Sequence, residues 1–392
     1  MTLRHNAFLA TTAAALFAVL TPQAFAAVDG EAVFDALAHQ MSLQGLELSS
    51  DSVSVSGDNV KITNLKISVP EGDDGFQMEE VLLEDVEEAA NGAYVVGRIA
   101  IPSFSDNREG MSFNFEGASI EGYYIGGPEE VDPIIGIGIY RALSIGAVEV
   151  SQNGNEIFTL DGITATMSPY EPGGTLEMEG KVKDFFIDFS KIPEPQVQAS
   201  MAELGYSQMR GRMTGTGTWD TASGDLKAQE TIELDDAATL NIDFGIGGYD
   251  AELIAAMKKM QNDMKGQSDD VMGMAMLGLM QQVEIGSISI ELVDQSATGR
   301  ILDFAAKQQG SNREAVVAQA KAVLPFGLAQ LQNPEFAAKV TAAVGAFLDD
   351  PKSLKIVAMP PNPVPVAQIM AAAMSAPQSI IAALSVDVKA NQ

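Results

Sequence analysis

TLNIDFGI (239–246) and IGSISIELVD (285–294) decide the fold. In the first, Leu240, Ile242, Phe244 and Ile246 alternate with polar residues or glycine. In the second, Ile288, Ile290 and Leu292 do the same. A period of two puts each apolar set on one face of a strand and leaves the other face wet. That pattern belongs to an antiparallel sheet covered on one side only.

Upstream, RMTGTGTWDTASGDLKAQETIEL (212–234) reads as a hairpin with DTASGD (220–225) as its turn. Gly211, Met213, Gly215, Gly217 and Trp219 share one face. Glycines there weaken the strand and leave room for something to approach the backbone. Further upstream, DSVSVSGDNVKITNLKISV (51–69) sets Val53 and Val55 against Val60 and Ile62 across a turn at 56–59. YVVGRIAI (94–101), MSFNF (111–115), SIEGYYI (119–125), LSIGAVEV (143–150), GITATMS (162–168) and TLEMEGKV (175–182) continue the alternation. SDNREG (105–110), QNGN (152–155) and EPGG (171–174) read as turns between them.

Helical signals flank the strands. Asp29 can cap a helix over 30–41, with Phe34, Leu37 and Met41 on one face. Downstream, 296–310 reads as a helix ending at Gly310. SNRE (311–314) is a capping box with Ser311 as the cap, and its helix is expected to stop before Pro325. Asn333 and Pro334 open another helix, with Phe336, Val340, Val344 and Phe347 on its apolar face. SLKIVAMPP (353–361) returns to a strand, PPNPVPV (360–366) is extended, and two short helices precede VDV (386–388), which can close the sheet. Strands followed by helices make the class α+β. The expected architecture is a long curved antiparallel meander with a helical hairpin insertion and C-terminal helices covering one face.

The insertion lies at 251–282 and contains MKKMQNDMKGQSDDVMGMAMLGLM (257–280). Leu253, Met257, Met260 and Met264 form one helical face, and Met272, Met276 and Met280 form another, with 266–270 as the break and Asp269 or Asp270 as a cap. Four readings stand: a core helix, a lid over an apolar groove, a Cu(I) site and a membrane-lying helix. Methionine serves the first two because its side chain is flexible and polarizable. Copper would draw on nearby histidine, and none is present. The acidic total opposes the fourth on anionic lipid.

The N-terminus has one arginine, Arg4, an apolar run from Ala7 to Leu20, and Ala24-Phe25-Ala26. These are the parts of a secretory signal cleaved near Ala26. The run is shorter than the roughly 20 residues of a membrane span, and no later segment reaches that length. The expected organisation is a signal at 1–26, a helix and meander at 27–250, the hairpin at 251–282, and final strands and helices of the same domain at 283–392. The expected location is the periplasm.

Hydrophobic residues make up 46% of the chain, ample for a core, and the formal net charge is −30. Such a surface repels nucleic acid. The absence of cysteine removes thiolate catalysis and Cys-ligated zinc. Beyond His5 in the leader, His39 is the one imidazole, no G-x-S-x-G elbow occurs and no S-x-x-K occurs. Adjacent acids such as Asp235-Asp236 point to opposite faces of a strand and seldom share a metal. No cofactor, metal or catalytic residue is expected.

SISIELVDQSATGRILDFAAKQQGSNREAVVAQA (287–320) and FLDDPKSLKIVAMPPNPVPVAQIM (347–370) resemble a group of exported alphaproteobacterial proteins of unknown function. The architecture is similar to YdgA-like and, more distantly, AsmA-like envelope proteins. That resemblance implies a curved sheet whose apolar inner face holds lipid chains. The expectation is a non-enzymatic periplasmic protein that binds or shields an acyl chain. Leu240, Ile242, Phe244, Ile288, Ile290, Leu292, Met272, Met276 and Met280 are its expected contacts. The alternative is an envelope scaffold or assembly factor with a fully packed core, meeting a protein partner through its acidic surface. An enzyme is the third reading.

Overall fold

A computed structural model describes residues 28–69, 76–108, 110–127, 132–263 and 269–392. The expected signal at 1–26 lies outside these residues. Among them, twenty strands form one open antiparallel sheet.

The sheet starts under a helix. Asp29 accepts hydrogen bonds from the backbone N–H of Glu31 (3.1 Å) and Ala32 (3.2 Å) and so caps α1 (Gly30–Ser42). The chain then forms β1 (Glu47–Ser49), β2 (Ser52–Ser56), β3 (Asn59–Ser68), β4 (Phe76–Glu88) and β5 (Tyr94–Ile101). β1 and β2 both pair with β3, and β4 joins β3 to β5. Val33 and Leu37 of α1 pack on Val60, Ile62, Leu83 and Val96, all fully enclosed or nearly so. Enclosing each such side chain is worth about 1.5–3 kcal/mol. Asn64 and Asp85 (both φ 52°) interrupt the pleat. The left-handed residue there reverses the alternation without shifting the register, so Leu65 and Val86 join the same core as Ile62 and Leu83.

The middle of the sheet is creased. β6 (Phe104–Arg108), β7 (Met111–Phe115), β8 (Ala118–Ile125), β9 (Ala142–Ile145), β10 (Val148–Gln152), β11 (Asn155–Leu160) and β12 (Ile163–Met167) are halves of longer ribbons. β5 with β6, β7 with β8, β9 with β10, and β11 with β12 each run on in one direction, broken at 102–103, 116–117, 146–147 and 161–162. The breaks lie side by side. Gly146 N–H donates to Gly117 C=O (2.8 Å), and Lys183 N–H donates to Gly162 C=O (3.0 Å). Gly117 (φ 101°) and Gly162 (φ 132°) adopt backbone that disfavours side chains, and a Cβ on either would sit within 2.8 Å of a neighbouring carbonyl oxygen. The crease thus depends on glycine, and it bends all these ribbons at one level. The segment 105–110, expected to be a turn, is mostly strand: β6 pairs with β7 throughout, because the ribbon continues past its break at 102–103.

Beyond the crease the ribbons are long. β13 (Thr175–Asp188) takes β11 and β12 on one edge and β14 (Gln208–Asp220) on the other. β15 (Leu226–Leu234), β16 (Ala238–Gly247), β17 (Glu284–Asp294), β18 (Ser353–Ala358), β19 (Val364–Pro365) and β20 (Val386–Ala390) complete the meander. β19 pairs with β17, and β20 closes the far edge on β18. The remaining helices sit in connections between neighbouring ribbons. They are α2 (Pro195–Leu204), α3 (Ala251–Asp263), α4 (Asp269–Leu279), α5 (Ala297–Gln308), α6 (Arg313–Ala329), α7 (Pro334–Asp349), α8 (Val366–Ser375) and α9 (Gln378–Ala383). The pairing order of the sheet therefore follows the chain even where helices intervene.

Two helix boundaries differ from expectation. Asn312, not Ser311, caps α6, accepting from Ala315 N–H at 2.9 Å. α6 also runs through Pro325. Proline removes one backbone bond and strains the preceding turn. Here Val316 and Val317 anchor the first half in a core with α5, and the turn at Pro325 lies among exposed residues, Val323 and Phe326. The expected caps at Asn333 and Asp29 are present. No helix of the described residues is long and apolar enough to cross a membrane.

Candidate functional site

The strands that opened the sequence reading lie side by side. Leu240 is directly opposite Leu292, Ile242 opposite Ile290, and Phe244 opposite Ile288. Directly opposed residues share a face of the sheet. The rows extend both ways: Ile232 and Leu354 flank the first pair, Glu230 and Ile356 the second, and Ala228 and Ala358 the third. The other face is polar. It carries Gln229 with Asp243 (2.9 Å), Thr231 with Asn241 (3.0 Å), Lys355 with Glu291 (3.3 Å) and Arg212 with Glu233.

One end of the apolar face is covered by two neighbouring clusters. Where β13 and β14 begin and end, Leu176 and Trp219 pack with Ile254 of α3 and with Ile134 and Ile139. Trp219 also donates to the Tyr249 carbonyl (2.7 Å). Beside them, Ile285, Ile288 and Ala358 pack with Ile369 of α8 and Ile380 of α9. Further along the same strands the face is open. Phe244, Ile290 and Ile356 are 38%, 41% and 45% exposed, although they sit mid-strand on neighbouring ribbons. Leu240, Ile242, Ile288 and Leu292 are half-buried.

Next to this stripe, past Glu230, the cross-strand row ends in glycines. Gly180 and Gly215 are directly opposed. A Cβ on Gly180 would meet nothing within 4 Å, and one on Gly215 would meet only the Gln229 carbonyl at 3.6 Å. A depression of ≈ 440 Å³ lies here, lined among others by Ile163, Met178, Val182, Met213, Glu230 and Phe244. Of the glycine face read from 211–219, Gly215 and Gly217 thus form the floor of a groove, and the Phe244–Ile290–Ile356 stripe continues it.

The methionine hairpin divides into two parts. Leu253 and Ile254 of α3 are buried, and Met257 and Met260 are half-buried, so α3 is a core element at its start. α4 packs on α3. Its Met276 and the following Met280 are half-buried, whereas Met274 is 66% exposed and Val271 and Leu277 are also exposed. The Met272 side chain, the expected cap at Asp269 or Asp270, and residues 264–268 lie outside the described structure. The six strand contacts therefore form one surface, while α4 is described against α3.

A second cavity, ≈ 250 Å³, involves His39. His39 is exposed at its edge, with Gln40, Asp132 and Lys258 in the lining. Gln40 is 2% exposed and clamps the loop after β8. Its amide nitrogen donates to Tyr123 Oη (3.2 Å) and to the carbonyls of Tyr124 and Ile135, and its oxygen accepts from Gly126 N–H (2.8 Å). Burial pushes the Tyr123 hydroxyl up to about 12, against the Gln40 bond. Lys258 of α3 donates to Pro133 C=O (2.6 Å), and Asp132 accepts from Tyr170 (2.5 Å). Burial lowers the Lys258 ammonium below the usual lysine value, with Asp132 opposing. These groups are engaged in fastening the 132–136 loop between α1 and α3. Among the described residues, no cluster of three or more His, Asp or Glu side chains is arranged to hold a metal.

A family model described as an uncharacterized protein matches residues 231–391. The match takes in Ile232, β16, the methionine hairpin, β17 and the C-terminal helices, but not the glycine-floored strands upstream. No curated protein matches the chain.

Proposed function

We propose that this protein is a periplasmic, non-enzymatic carrier or shield for an apolar ligand, a lipid acyl chain, held on the open part of the curved sheet's apolar face. Leu240, Ile242, Phe244, Ile288, Ile290 and Leu292 form the contact surface, and the methionine hairpin, through Met276 and Met280, serves as its adaptable cover. The observation that carries this reading is the unsealed stripe of Phe244, Ile290 and Ile356 beside the bare Gly180–Gly215 floor. Mid-strand aliphatic residues on a broad sheet are ordinarily covered, and contiguous exposed apolar surface marks a binding site. Each methylene laid on it contributes about 0.8 kcal/mol, so a chain needs few polar anchors. The resemblance to YdgA-like and AsmA-like envelope proteins, and the signal-like segment at 1–26, support the assignment and the location.

The test is native mass spectrometry of gently purified protein, comparing the native chain with Ile290→Asp. Co-purified lipid on the native chain and its loss from the variant are expected. A native chain that carries no lipid and takes up none when offered would refute the reading, and would favour an envelope scaffold working through its acidic surface.

A further inference from the structure

One residue breaks the apolar pattern of the groove. The row from Gly180 through Gly215, Glu230, Ile242 and Ile290 to Ile356 runs straight across the ribbons in register. Glu230 is the one charged residue in it. The flanking rows bring Ile232 and Leu240 on one side and Ala228 and Phe244 on the other, all uncharged. Glu230 is exposed and lines the depression.

Its carboxylate makes no ion pair and no side-chain hydrogen bond among the described residues. The carboxylates on the opposite face of the same ribbons behave differently: Glu233 meets Arg212, Glu291 meets Lys355, and Asp243 meets Gln229. Those pairs are cross-strand neighbours that sheet register brings together. Glu230 has Gly215 on one side and Ile242 on the other, so register offers it no partner. Gly215 also leaves the carboxylate reachable from above the sheet.

We infer that the ligand of this groove is a single-chain amphiphile with a cationic head, an amine or ammonium group held at Glu230, and a tail lying across Ile242, Ile290 and Ile356. The inference rests on the acyl-chain reading and adds the chemistry of the head. Three ribbon spacings of about 4.8 Å separate Glu230 from Ile356, an apolar path of about 14 Å. An anionic head is disfavoured twice, by Glu230 itself and by the net charge of −30.

The experiment titrates the full chain with dodecylamine, dodecanol and dodecanoate, each below its aggregation concentration, by displacement of a fluorescent apolar probe. Dodecylamine is expected to bind tightest, by roughly two- to fivefold over dodecanol, with dodecanoate weakest. In Glu230→Gln, amine and alcohol are expected to bind alike. Equal binding of all three to the native chain, or an amine preference that survives Glu230→Gln, overturns the head-group assignment while leaving the acyl-chain reading in place. Failure of all three to bind overturns both.

Discussion

Filling the glycine floor separates stability from binding. In Gly180→Val with Gly215→Val, the new side chains enter space that is empty at Gly180 and nearly so at Gly215. Both residues lie inside regular antiparallel ladders and neither has a positive φ. Glycine costs a strand roughly 0.5–1 kcal/mol, and valine is among the best strand formers. The double variant should therefore gain about 1–2 kcal/mol of fold stability. The same side chains occupy the groove. If they displace two methylenes of a bound chain, the loss is about 1.6 kcal/mol, or about fifteenfold in affinity. Urea unfolding reads the first quantity, and displacement of a fluorescent fatty chain reads the second. The reasoning requires opposite signs. A variant that is less stable would show that the glycines serve packing. One that binds as well as the native chain would show that the bound chain does not reach the glycine floor.

Two further outcomes test the surrounding structure. Gln40→Ala leaves the Gly126 N–H without its buried partner, while the Ile135 carbonyl keeps the Gly138 N–H, and should cost about 1–3 kcal/mol. Amide exchange at Gly126 should rise with it; a loss under about 0.5 kcal/mol would show that the clamp carries no energy. The pH dependence follows from three carboxylates. Burial raises Asp188, but bonds from Ser190 and Gln208 outweigh it and hold the group below its ordinary value. Arg313 lowers Asp303, and Lys339 lowers Asp387. Because the folded values lie below the unfolded one, the contribution is complete above about pH 4 and is lost as pH falls through the folded values. Lys339 is raised in turn by Asp387, so its share is lost only as pH rises past its folded value on the alkaline side. Urea midpoints at pH 7, 4 and 2 should fall in that order, and Asp387→Asn should flatten the acid limb.

Much of the fold was legible because its signals are local. Alternation at 239–246 and 285–294, the turn at Gly57 and the caps at Asp29 and Asn333 depend on residues within a few positions of one another. β4 was not legible. FQMEEVLLEDVEE is rich in acids, and the left-handed backbone at Asp85 breaks its period of two, so Val81, Leu83 and Val86 reach one core without strict alternation. β11 was hidden because the turn at 153–154 begins it and the crease at 161–162 ends it after six residues. Helix α6 crosses Pro325 because its position is set by packing at Val316 and Val317, which outweighs the local preference to stop.

By itself the sequence determined which residues are apolar on which strand, and hence that Leu240, Ile242 and Phe244 would share a face with Ile288, Ile290 and Leu292. It could not determine which part of that face stays open. Openness depends on where α3, α8 and α9 land, and they cover Trp219 and Ala358 while leaving Ile290 and Ile356 bare. Nor could it show that Gly180 meets Gly215, or that Glu230 falls beside them, because register joins residues far apart in the chain. Local chemistry selects strands and caps. Only long-range pairing selects which surfaces meet and which remain exposed to solvent.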